Sequence, residues 1–184
     1  MAANDLTSLD NIKAYLGLAT GNDDALLARM VTSVSTYVQQ WMGRQILNAA
    51  YTETRSGTGS QIMALHHYPV TAVTSLVVDN VIIPAAADSF SPGYSFDGRF
   101  LYLNGYLFRK GRTNVVVGYV AGYASVPPEL EQAAIELIAM RYRERDRVGH
   151  QSKSLGGETV SFIVKDFPDS VRTILTNYKQ VVPQ

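Results

Sequence analysis

The feature that most constrains this chain is a double change of hydrophobic period. Apolar residues recur at helical spacing from Ser8 to Met42, alternate as in strands from about Ala50 to Tyr123, and return to helical spacing from Pro127. A helix aligns residues three and four apart, whereas a strand aligns every second one, so the two patterns cannot describe one kind of element. The predicted class is therefore α+β. Two N-terminal helices, one long central helix and a short C-terminal helix form a helical bundle, with a small antiparallel β sandwich or barrel inserted. The predicted segments are 1–48 (N-terminal helices), 49–124 (the β module), 125–148 (the long helix that completes the helical domain) and 149–184 (a flexible loop and a C-terminal arm).

Local signals place the elements. Ser8 suits the N-cap of a short helix over LDNIKAYL, and Gly17 suits its end. Asp23 can cap a longer helix whose Leu27, Met30, Val31, Val34, Tyr37, Val38 and Trp41 form a buried stripe, closed by Gly43. Thr32, Ser33, Ser35, Thr36, Gln39 and Gln40 cover much of its remaining surface, which is polar but nearly uncharged and so points to a protein partner. In the β region, Tyr51–Arg55 and Gln61–Leu65 flank a Gly57-Thr58-Gly59 turn and read as a hairpin. Asp79-Asn80 is a candidate tight turn, and Asp97-Gly98 is the stronger one, because a primed turn needs positive φ. Asn114–Val120 suits a central strand, and Pro84–Gly93 reads as a surface loop. The long helix offers Leu130, Ala133, Ala134, Leu137, Ile138 and Met140 inward and is expected to end at Gly149. After it come a mobile polar loop over HQSKSLGGE, a lone strand within Thr159–Val164, and a helix opened by Pro168 with Val171, Ile174, Leu175 and Tyr178 on one face.

Composition removes whole classes of function. None of the 184 residues is cysteine, which excludes disulfides, thiolate metal sites and thiol catalysis. Sixteen basic residues balance sixteen acidic ones, unlike a domain that grips nucleic acid by neutralising phosphates. No apolar run approaches the roughly 20 residues that span a bilayer. The start, MAANDLTSLDNI, lacks a basic region followed by an apolar stretch, so no secretory signal and no membrane role are expected.

The chemistry-bearing candidates are few. His66-His67 would point to opposite faces of a strand, with no Asp or Glu within a few residues, and His150 stands alone, so all three read as ordinary residues. Gly57-Thr58-Gly59 and Gly156-Gly157 read as turns rather than phosphate cradles. No nucleophile elbow or facing carboxylate pair appears, so neither enzyme activity, cofactor nor metal is expected. Arg141, Arg143, Arg145 and Arg147 end the long helix, with Glu144 and Asp146 between them. They suit either a solvated helix end or a docking stripe for an acidic partner or DNA phosphate. The eleven tyrosines fit strand propensity before they fit an interface. Read as a helix-turn-helix, the first two helices fail because the second is too long and lacks basic residues.

Three stretches together resemble a known family: LTSLDNIKAYLGL, DDALLARMVTSVSTYVQQWMGRQIL and VAGYASVPPELEQAAIELIAMRYRERDRVG. They look like the head–tail connector (adaptor) proteins of tailed bacteriophages, in longer members that carry a β module between the second and third helices. GGETVSF and the terminal helix are similar to that family's C-terminal part. The resemblance implies a structural virion protein of the neck at the capsid vertex, assembled in the host cytoplasm. Its copies would form a ring, usually twelvefold, under the portal protein, extending the DNA channel and docking the stopper or tail-completion protein. Duplex DNA would pass through without sequence-specific binding. The same resemblance implies subunit contacts or core positions at Met30, Val34, Tyr37, Trp41, Leu130, Leu137 and Met140. It implies a portal-contacting arm with Val171, Ile174, Leu175 and Tyr178. A tail-completion role is the alternative within the same class, and a DNA-binding regulator the alternative outside it. With no long apolar stripe left over, the isolated protein is expected to be a monomer or loose oligomer, and removing 168–184 is expected to leave a soluble fold.

Overall fold

The structure is a computed structural model that describes residues 2–145, 152–155, 158–161 and 167–180. The element order is α1 (Leu9–Leu16), α2 (Asp24–Met42), β1 (Ala49–Arg55), β2 (Ile62–Ala64), β3 (Val70–Val78), β4 (Val81–Ile82), β5 (Gly93–Phe96), β6 (Phe100–Asn104), β7 (Val115–Ala121), α3 (Pro128–Glu144), β8 (Ser152–Leu155), β9 (Glu158–Ser161) and α4 (Asp169–Asn177). Among the described residues, 2–44 and 126–180 form one compact unit and 45–125 another. The mixture is α+β, with every strand pair antiparallel.

In the helical unit, the Ser8 hydroxyl accepts the Asn11 N–H at 3.1 Å and Gly17 takes the left-handed conformation, so α1 is capped as its sequence requires. Asp23 precedes α2 without making a side-chain cap; its carboxylate instead accepts the Tyr142 hydroxyl of α3 at 2.5 Å. Tertiary contact has taken the cap away from the local motif. Ile12, Leu27, Val31, Val34, Val38, Met42, Leu130, Ala134, Leu137, Ile138, Val171 and Leu175 make the core. The described part of α3 ends at Glu144, five residues before the expected Gly149, and residues 146–150, with Arg147 and His150, lie outside the described set.

The expected loop over HQSKSLGGE and the expected lone strand are corrected together. Ser152–Leu155 pairs with Glu158–Ser161 as a two-stranded hairpin around the Gly156-Gly157 sequence. The rest of the expected strand, to Val164, lies outside the described residues.

The β unit holds a four-stranded sheet, β1-β7-β3-β4, and a three-stranded sheet, β2-β6-β5, which share one core through Leu65, Leu76, Leu101, Phe108, Val115, Val117 and Tyr119. No closed barrel forms; two sheets face a common interior, and β7 is central, as its β-branched run predicts. Two expectations fail here. Segments 51–55 and 61–65 are not a hairpin: β1 pairs with β7 and β2 with β6, so the intervening glycines cross between sheets. Gly57 is required by close approach, because a Cβ there would sit 1.9 Å from the Arg109 carbonyl oxygen. Asp79-Asn80 makes the expected tight turn, with φ of +50° and +63°, and Asp97-Gly98 joins β5 to β6 as expected but not as a primed turn. Asp97 instead accepts the Arg99 and Phe100 N–H groups at 2.8 and 2.7 Å, an Asx turn that leaves Gly98 outside the left-handed region.

Candidate interaction surfaces

Sequence reading pointed to α2, α3 and α4 as contact-bearing helices. Val34, Leu130, Leu137, Val171 and Leu175 are buried inside the helical unit, and Met30, Tyr37, Trp41, Met140, Ile174 and Tyr178 are half-buried. Phe167, just before α4, explains part of this. Its ring stacks on Tyr37 with centroids 5.1 Å apart and meets Trp41 edge-on at 5.5 Å. Arg141 lies over the Tyr37 ring, 4.9 Å from its centroid, and Lys179 over the Trp41 ring at 5.0 Å.

The helix-end arginines thus divide. Arg141 packs on Tyr37, and Arg145 lies over Tyr142 while donating to its carbonyl at 2.9 Å. Arg143 is exposed, and Arg147 lies outside the described residues. The hydrogen bond to Asp23 holds the Tyr142 phenol above its ordinary range.

The uncharged face of α2 is partly used within the chain. Ser35 is buried and accepts the Leu6 N–H at 2.9 Å, Gln39 donates to the Asn4 carbonyl at 2.9 Å, and Thr32 donates to Asp5 at 3.2 Å. The segment before α1 therefore covers one side of the helix. The other side, with Arg29, Ser33, Thr36, Tyr37 and Gln40, borders an open groove of about 450 Å³.

One cluster escaped the sequence reading altogether. Glu53 on β1 accepts the Tyr119 hydroxyl from β7 and the His66 backbone N–H at 3.2 Å. His66 Nδ1 lies 2.9 Å from Glu53 Oε2 and 2.8 Å from Arg55 Nη1. The His67 ring stacks on Tyr51 at 3.7 Å, and the His67 backbone N–H donates to the Tyr119 hydroxyl at 3.2 Å. Burial pushes the Glu53 carboxyl up, but hydrogen bonds from Tyr119 and His66 outweigh it and hold the group below the usual carboxylate range. Burial and the same carboxylate push the Tyr119 phenol far up. The partner of His66 sits thirteen residues away, on a strand whose register no local pattern reveals. The cluster ties the 65–68 segment to the four-stranded sheet; among the described residues, no three His, Asp or Glu side chains converge as a metal site would need.

The β unit exposes what the helical unit covers. Ile62, Val81, Ile82, Phe90, Phe96, Phe100, Leu107 and Val116 all reach solvent. Val81 and Leu107 border a groove of about 420 Å³.

A family model described as "head completion protein" matches residues 5–181. No curated protein matches the chain. Among solved structures, a chain from the neck of an empty gene transfer agent (GTA) particle, computed with C6 symmetry, superposes with a TM-score of 0.60 at 18% identity, covering 100% of this chain and 95% of that one. A chain from the neck of a native GTA particle computed with C12 symmetry gives 0.57 at 16% identity, covering 100% and 98%. A chain from the virion of a native GTA particle gives 0.56 at 19%, covering 96% and 90%. At such identities the likeness is one of fold, and it extends over essentially the whole chain. No helix among the described residues is long and apolar enough to cross a membrane.

Proposed function

The chain belongs to the head completion protein family, and from that membership we propose that it is a structural neck protein of a tailed phage or phage-like particle. In this reading its copies form a ring, twelvefold in the virion, beneath the portal. The ring extends the DNA channel and presents a platform for the stopper or tail-completion protein. The observation that carries the proposal is the family match over residues 5–181, which spans both compact units. The C12 and C6 symmetries of the neck structures whose fold it shares support a ring. The family description favours the head side of the neck over a tail-completion role.

The physical chemistry is consistent with acting by shape. A closing head-to-tail ring needs two unlike, complementary patches on each subunit. Duplex that slides through a channel must not be gripped, and each phosphate contact adds affinity, so a net charge of zero suits the task. Co-expression with the portal of the same particle, followed by imaging, tests the proposal. Ring density under the portal is expected; a portal vertex with no added ring sinks it.

A further inference from the structure

The connection from β6 to β7 concentrates positive charge. The β unit has five basic residues, Arg55, Arg99, Arg109, Lys110 and Arg112, and the last three stand within four positions. All three are exposed, and among the described residues none of them makes an ion pair. Asp79 meets the same loop, but its Oδ1 accepts the Asn114 side-chain amide at 2.8 Å, and one carboxylate against three cations leaves two positive charges in excess. Like charges held this close repel one another in the free protein, a cost that a bound polyanion removes.

The loop backbone is fixed by its neighbours. Asn114 Nδ2 donates to the Arg109 carbonyl at 2.9 Å, and Asn114 Oδ1 accepts the Gly57 N–H at 2.9 Å. Gly111 N–H donates to the Gly57 carbonyl at 3.2 Å and Thr113 N–H to Ser56 Oγ at 3.0 Å. Thr113 is held at φ +51°, a conformation that a β-branched residue rarely adopts. Strain of that kind persists only where the surroundings over-determine it, and it gathers at sites that hold ligands. These bonds lay the 56–58 segment alongside the basic loop, with Ser56 and Thr58 exposed there. Arginine and lysine joined by serine or threonine hydroxyls are the groups that bind backbone phosphates. Protein interfaces, by contrast, are depleted of lysine and serine and enriched in aromatic residues, and no aromatic residue stands in 109–113.

We propose that Arg109, Lys110 and Arg112, with the Ser56 and Thr58 hydroxyls, form a contact for the backbone phosphates of duplex DNA. The inference rests on the neck reading above, which brings duplex past each copy, and adds to it the residues that the duplex touches. Three cations make a weak hold without sequence preference, so the contact is compatible with passage.

An NMR titration of the full chain with a short mixed-sequence duplex tests this contact residue by residue. Amide shifts are expected at 56–60 and 109–113. With a salt slope of about 0.9 per phosphate contact, binding should be about 40-fold weaker at about 200 mM salt than at about 50 mM. Lys110→Gln combined with Arg112→Gln removes two of the three cations, so the same salt step should weaken the remaining binding only about 3- to 4-fold. The melting temperature should not change, since both side chains are exposed. Shifts centred on the arginines that end α3 overturn the proposal, as does a double variant that binds and responds to salt like the unmodified protein. A double variant that no longer assembles on the portal, in a chain that shows no duplex-induced shifts, also overturns it and makes the partner an acidic protein. Imaging with the portal judges the neck reading separately. Rings on the portal without duplex-induced shifts overturn the contact and leave that reading standing; a portal without rings sinks the reading, while the titration still decides the phosphate contact.

Discussion

The two compact units treat their large apolar side chains in opposite ways. Of the nine that are exposed among the described residues, eight lie in residues 45–125 and only Tyr15 in the helical unit. The helical unit uses its own sequence to cover itself: Phe167 lies on Tyr37 and Trp41, Arg141 and Lys179 lie over those rings, and the segment before α1 exchanges hydrogen bonds with α2. The β unit leaves Ile82 and Phe90 in solvent. An uncharged helix face such as that of α2 announces that a partner exists, but the partner can be the same chain. Exposed apolar side chains on an otherwise closed sandwich are the better sign of a separate molecule.

The sharpest way to break this comparison is to remove the cover. Deleting residues 168–184 takes away α4, whose Val171 and Leu175 are fully buried. Each such side chain contributes about 1.5–3 kcal/mol by burial, so the loss is about 3–6 kcal/mol against a typical domain stability of about 5–15. The packing thus reverses the expectation of an undisturbed soluble fold. The truncated chain should melt at least about 10 °C lower, or aggregate, in a thermal scan. If it melts with the full chain, α4 is a detachable arm after all and the helical unit does not depend on it.

How much of this was legible beforehand follows the range of each interaction. Capping at Ser8 and Gly17 is settled within four residues, so α1 could be read directly, and the period change gave the α+β class for the same reason. Asp23 could not be read, because its carboxylate answers to Tyr142, more than a hundred residues away. Both turn signals mark hairpins, but Asp97-Gly98 is not a primed turn because Asp97 satisfies backbone N–H groups with its side chain, whereas Asp79-Asn80 joins strands only as far apart as a two-residue turn allows. Glu53 and His66 meet only through the pairing of β1 with β7, and Phe90 looked like any loop residue until Asp88 and Asn104 were seen to fix it. Register and clamping are tertiary facts.

A middling effect is expected at the Glu53 cluster, the β unit's counterpart of the helical unit's self-covering. Glu53 has its pKa lowered in the fold from an ordinary value of 4.5. The unfolded chain therefore binds the proton first as pH falls, so this contribution is complete above the ordinary value and disappears as pH drops through the folded one. Urea denaturation across roughly pH 6 to 3 should show the unmodified protein losing more stability than Glu53→Gln over that window. At neutral pH the substitution should cost about 1–3 kcal/mol, as removal of a buried charged acceptor does. Parallel curves for the two proteins would mean that the carboxylate holds nothing together.

The smallest effect on folding sharpens the comparison most. Ile82 on the two-residue edge strand β4 is 77% exposed. If the β unit's outward apolar side chains serve a separate molecule, Ile82→Lys removes nothing the fold uses, and edge strands tolerate lysine well because it discourages stray pairing. The change in unfolding free energy should stay within about 0.5 kcal/mol, while the tendency of the concentrated protein to self-associate, read by light scattering, should fall. A loss of several kcal/mol instead would show that Ile82 is covered in the folded monomer. The contrast between a self-sealed helical unit and an outward-facing β unit would then disappear.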